Sequence, residues 1–122
     1  EGGSTTDEGV EMDDTARDRI DFGTCQNLEM RVGEIETADP VEGADDRVRL
    51  EIDIGVETRQ IVAGIKQFYD VGDLAGTRVV VLANLEPAEL FGVESNGMLL
   101  AAGDEADLLT TVGDAPVGSV IR

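Results

Sequence analysis

The chain has 122 residues, enough for one domain with a modest core, and carries 27 acidic against 9 basic side chains, a net charge of −18. It holds no histidine and a single cysteine, Cys25, which excludes a His-containing zinc site, Ser-His or Cys-His catalysis within one chain, and an internal disulfide framework. No apolar run is long enough to span a bilayer and no charged-then-apolar leader opens the sequence, so neither a membrane span nor a secretory signal is expected.

Taken in order, residues 1–17 are rich in Gly, Thr and acids and poor in apolar side chains. Such a segment cannot bury enough surface to offset its ordering entropy, so it reads as a disordered acidic tail, with room for a short helical turn near Asp13. The folded domain is expected over 18–122. Ile20, Phe22 and Cys25 offer apolar anchors before the first strand, and Cys25, with no basic neighbour to lower its pKa, reads as a small buried hydrophobe. Leu28, Met30 and Val32 then alternate with Glu29 and Arg31, which places Arg31 outward. The phase slips at Gly33 before Ile35 resumes the apolar face. A slip of one residue flips the faces unless a bulge absorbs it, and a glycine tolerates the positive φ such bulges use.

An acidic loop at 39–46 leads to a clean alternation, with Val48, Leu50, Ile52 and Ile54 on one face and Arg47, Arg49, Glu51 and Asp53 on the other. This predicts a half-buried strand, turned by Gly55 into a partner at 57–63. Residues 64–76 carry Phe68, Tyr69 and a helical turn at 70–74, a small plug. Residues 77–83 read as the most buried strand, 84–94 as a long loop, 98–102 as the fifth strand and 103–107 as an acidic turn. A further short strand and a tail through Val117 and Ile121 end the chain. Short strands with a bent first one fit an all-β, five-stranded Greek-key barrel of the OB-fold type, with a short N-terminal helical turn and a C-terminal extension.

No catalytic, cofactor or metal site emerges. In so acidic a chain, neighbouring carboxylates carry almost no information. Asp45-Asp46 and the acids at 104–107 lack calcium-loop spacing, and no phosphate-cradling Gly-x-x-x-x-Gly-Lys occurs. The acid excess is spread over the folded part as well as the N-terminal tail. It would repel itself in dilute buffer and relax at molar salt, where the screening length falls to about 3 Å. A salt-adapted cytoplasmic protein of a halophilic archaeon is one reading; a partner with a basic face is the other.

The most informative stretch is 84–102, NLEPAELFGVESNGMLLAA. On pattern alone it is strand, structured loop and strand. Its wording, N-L-x-P-A-x-L-x-G-x-x-S-x-G-M-L-L-A-A, resembles the signature of the tRNA-binding domain appended to methionyl-tRNA synthetases, also found as free-standing tRNA-binding proteins. LEMRVGEI at 28–35, RQIVAGI at 59–65, FYDVGDLAGTRVVVLANL at 68–85 and PVGSVIR at 116–122 follow in that family's order. Five segments in register are far more specific than one short motif.

The resemblance implies an OB-fold that grips tRNA by shape without catalysis and assists aminoacylation, alone or beside methionyl-tRNA synthetase. It further implies a homodimer. It points to Asn84, Ser95 and Met98 as RNA contacts. Asn84 and Ser95 supply donors and acceptors, and either meet RNA or fix the loop. Met98 packs on a base or fills the core. Arg31 matches the family's arginine, and Lys66 and Arg78 are the other bases near this face, able to meet phosphate or to sit in surface ion pairs worth only ~0–1 kcal/mol.

The chain departs from the family where Glu86, Glu89 and Phe91 stand at three usually basic positions. Lost lysines matter less at high salt, because counterion release shrinks there. Phe91 could instead stack a base, cap the core or enter a dimer. The alternative function is a protein-interaction or dimerisation module, or a peptide-binding chaperone-like protein, that has lost RNA binding.

Overall fold

The computed structural model describes residues 16–122. The tail expected at 1–17 and the turn expected near Asp13 therefore lie, up to residue 15, outside the described residues. The helical turn that is seen, α1 (Phe22–Cys25), comes later. Asp21 caps it, its carboxylate accepting the Thr24 N–H at 2.7 Å. That bond, with a second from the Thr24 side chain, holds the Asp21 carboxyl below its ordinary pKa. No described helix is long and apolar enough to cross a membrane.

Nine strands follow: β1 (Met30–Pro40), β2 (Val48–Asp53), β3 (Thr58–Ala63), β4 (Arg78–Leu82), β5 (Ala88–Leu90), β6 (Val93–Ser95), β7 (Met98–Leu99), β8 (Ala101–Ala102) and β9 (Asp107–Leu108). Five of them form one antiparallel sheet in the order β3-β2-β1-β4-β7. This is a nearly closed OB-fold-like barrel, with β1 bent between two partners. Its first half, Met30 to Glu34, pairs with β4, and its second half, Glu34 to Pro40, pairs with β2.

The bend comes slightly later than the sequence suggests. The register shifts between Ile35 and Thr37, not at Gly33. Gly33 does different work and does not have a positive φ. A Cβ there would stand 2.7 Å from Ile52 Cγ2 and 3.3 Å from the Asp53 carbonyl oxygen. The glycine lets the two sides of the bent sheet approach.

The alternation over 48–54 is realised as read: Val48, Leu50, Ile52 and Ile54 are fully buried. They pack with Ile35, Ile61, Val79, Val81 and Leu99 in the barrel core. Each such side chain taken from water contributes roughly 1.5–3 kcal/mol. The plug is a single 3-10 turn, Val71–Asp73, followed by buried Leu74. Tyr69 completes it: its hydroxyl donates to the Ala106 carbonyl at 2.9 Å and accepts the Leu108 N–H at 3.1 Å.

Two further regions differ from the sequence reading. The expected loop at 84–94 contains a hairpin, β5–β6, seated through Leu90 and Val93 on a small second cluster of Val41, Ala44 and Val62. Cys25, expected to be buried, is exposed, because α1 buries none of its residues. The C-terminal tail runs along the free edge of the first half of β1. Val32 N–H donates to Ser119 O, Gly118 N–H to Val32 O and Ile121 N–H to Met30 O. Gly118 crosses Gly55 so closely that a Cβ on Gly55 would come within 2.7 Å of the Gly118 Cα.

Candidate functional site

The barrel's last seam, between β3 and the segment entering β7, is closed largely by side chains. Ser95 Oγ accepts the Val62 N–H at 3.0 Å and is only 6% exposed. Asn96 N–H donates to Gln60 O at 2.7 Å, and Gln60 Nε2 donates to Glu94 O at 2.8 Å. Arg59 reaches across with Nη1 to the carbonyls of Ala83 and Asn96 at 2.8 and 3.3 Å, while Glu57 holds its Nε. Gly97 then turns the chain at φ +130°, tight against Ile61 and the Leu82 carbonyl.

Over this seam opens a cleft of about 410 Å³. Its lining includes Gly64, Ile65, Leu85, Glu86, Ala88, Leu90, Ser95, Gly97 and Met98. Met98 pairs with Leu82 at the barrel's edge, yet the residue is 46% exposed. A polarisable thioether is thus presented in a mostly apolar cleft.

The sequence-derived candidates separate by role. Ser95 and Met98 meet in the cleft. Lys66 follows the cleft residue Ile65, and its ammonium forms no ion pair among the described residues. Asn84 stands apart, clasping the segment before β1: Oδ1 accepts the Glu29 N–H at 2.9 Å and Nδ2 donates to Asn27 O at 2.7 Å. Arg31 is half-buried, not turned outward; it pairs with Glu29 at 2.9 Å and donates to the Gly118 carbonyl at 2.9 Å, holding the tail. Arg78 acts similarly, donating to Ala115 O at 2.7 Å beside Glu34 at 3.5 Å. Phe91 lies at the tip of the β5–β6 hairpin, away from the cleft floor.

Leu85, Ala88 and Leu90, which shape the cleft, escaped the sequence reading. The hairpin that places them was hidden by shortness: its strands have three residues each, too few to show a period. Arg59 was missed because its acceptors are backbone carbonyls far along the chain.

The family described as "Putative tRNA binding domain" matches residues 30–120. The methionine–tRNA ligase of Natronomonas pharaonis is 61% identical over 113 residues, 93% of this chain and 16% of that protein. The Halobacterium salinarum enzyme is 60% identical over 117 residues, 96% of this chain and 17% of that protein. The chain thus spans only about a sixth of these relatives' length. Among solved structures, a MetRS-related protein from Pyrococcus horikoshii superimposes with a TM-score of 0.78 at 28% identity, covering 87% of this chain and all of that one. The chaperone CsaA of Bacillus anthracis gives 0.79 at 27% identity, covering 86% and 100%.

Proposed function

The chain belongs to the tRNA-binding domain family that matches residues 30–120, and from that premise we propose that residues 18–122 form a non-catalytic module that grips tRNA by shape and assists aminoacylation as part of, or beside, a cytoplasmic methionyl-tRNA ligase. The observation that carries the reading is Met98. An apolar residue at a strand end, 46% exposed in a cleft, supports contact with a base or ribose over a role in the core. Lys66 adds a charge free to meet phosphate. Asn84 holds the segment before β1, Arg31 and Arg78 hold the C-terminal tail, and Ser95 sets the cleft wall.

The acidic surroundings, Glu86 in the cleft and Glu89 nearby, oppose a polyanion at low salt. At molar salt that repulsion is screened along with ordinary phosphate attraction. Binding then depends on contact and stacking, which suits a domain whose relatives in Natronomonas, Halobacterium and Haloarcula are 59–61% identical.

A second observation supports self-association. Phe22 (74% exposed), Leu28 and Val120 lie on an apolar groove of about 410 Å³ with Cys25, Met30 and Ile121. A second copy covering this groove would make a homodimer and give a weak RNA site avidity. The same groove, with the likeness to CsaA, favours the second reading, an interaction or peptide-binding module without RNA affinity.

Fluorescence anisotropy with labelled tRNA in roughly 1–3 M KCl decides between them. Binding by the wild type, weakened in Met98→Ala without loss of fold, is expected. Equal and negligible binding by both proteins would overturn the tRNA reading in favour of the interaction module.

A further inference from the structure

The hairpin tip carries a feature the cleft does not use. Between Leu90 and Val93 the chain reverses in two residues, both left-handed: Phe91 at φ +54° and Gly92 at φ +79°. A two-residue hairpin loop with both φ positive is a type I′ turn, which favours Asn, Asp or Gly at its first position. A bulky ring there is an outlier, and a strained residue of this kind motivates a functional hypothesis. Burial does not compensate, since Phe91 is 57% exposed.

Its surroundings are ordered around the ring. The Arg47 guanidinium stands 5.7 Å from the ring centroid. Arg47 is itself fixed, bonded to Asp46 at 2.9 Å and lying over Gly64, where a Cβ would come within 2.6 Å of Nη1. Leu90 and Val93 seat the hairpin on Val41, Ala44 and Val62. Beside the ring a depression of about 430 Å³ opens, lined by Pro40, Val41, Glu42, Arg49, Phe91 and Val93. It lies between the β1–β2 loop and the connection from β4 to β7. Barrels of this type take oligonucleotides on the face flanked by those two connections.

We propose that Phe91, backed by Arg47, is a stacking platform for one unpaired nucleobase of an RNA strand, a contact point separate from the cleft around Met98. Arg49, on the same depression and paired only at 3.4 Å with Asp39, is placed to meet the adjoining phosphate. Glu42 sets a limit on that contact, since it would repel phosphate in dilute buffer. Stacking on a ring carries no net charge, so it persists in salt that screens phosphate attraction. Only the choice of RNA as ligand rests on the function proposed above.

The chain has no tryptophan, so Phe91→Trp installs a single reporter. Titration with a short single-stranded oligouridylate, and separately with tRNA, in about 2 M KCl should quench its emission. Phe91→Asn, which suits the turn, should weaken oligonucleotide binding by roughly five- to a hundred-fold while the thermal midpoint stays close to wild type. Wild-type tRNA binding with no quenching and no loss in Phe91→Asn would overturn the platform and leave the cleft standing. Quenching by oligouridylate with no tRNA binding by the wild type would support the platform and remove the tRNA reading. Quenching that tracks protein concentration without RNA would assign the ring to a contact between copies and overturn the proposal.

Discussion

Ser95→Ala is the most instructive substitution, because its obvious use as an RNA-binding knockout would mislead. The Ser95 hydroxyl is buried and accepts the Val62 N–H at 3.0 Å, and its own proton is directed to Gly97 O at 3.4 Å. Alanine leaves the Val62 N–H unpaired in the wall of the barrel. A buried donor left unsatisfied costs about 1–3 kcal/mol. For a domain of this size that lowers the melting temperature by roughly 4 to 12 °C. Circular dichroism melts of wild type and Ser95→Ala in concentrated KCl measure it directly. RNA affinity measured well below both transitions then shows whether any further role remains. A midpoint within a degree or two of wild type would refute the reasoning, and would mean that the seam between β3 and the fifth barrel strand does not need this bond. Met98, exposed and outside that network, is the cleaner probe of contact.

Gly33→Ala places a methyl 2.7 Å from Ile52 Cγ2 and should cost about 1–3 kcal/mol through overpacking; chemical denaturation at fixed salt checks it. With a net charge of −18, thermal stability should rise steadily as KCl replaces dilute buffer and the screening length shortens from about 10 Å to about 3 Å; a salt-independent midpoint would remove the argument from repulsion. Asp21 titrates below its ordinary value of 3.8 because the Thr24 N–H and then the Thr24 side chain bond its charged form. The cap's contribution is therefore complete above that value and lost as pH falls through the lowered one. Asp21→Asn, which keeps an acceptor, should flatten this acid dependence of α1 in NMR shifts of Thr24; an unchanged profile would reject the assignment.

Much of this protein is declared locally. The period-two run at 48–54 needs only its own apolar side chains to state which face is buried, and the structure buries those four residues completely. The wording of 84–102, with four further segments in order, is linear information and led to the family directly. The absence of histidine is equally complete at the level of composition.

Tertiary structure decided what depends on partners distant in the chain. Asn84 clasps residues 55 and 57 positions earlier, Ser95 a strand 33 positions earlier, and Arg31 a carbonyl 87 positions later. Nothing near these residues announces a bond of that span, so only the closed barrel shows that these candidate polar side chains also hold the fold. Three-residue strands are too short for periodicity, which hid the β5–β6 hairpin and with it the position of Phe91. A glycine's neighbours across the barrel, not its own φ, explain Gly33. Sequence specifies the pattern of burial because alternation is local, whereas the spare valence of each polar group is settled only when the barrel closes and brings its partner within 3 Å or so.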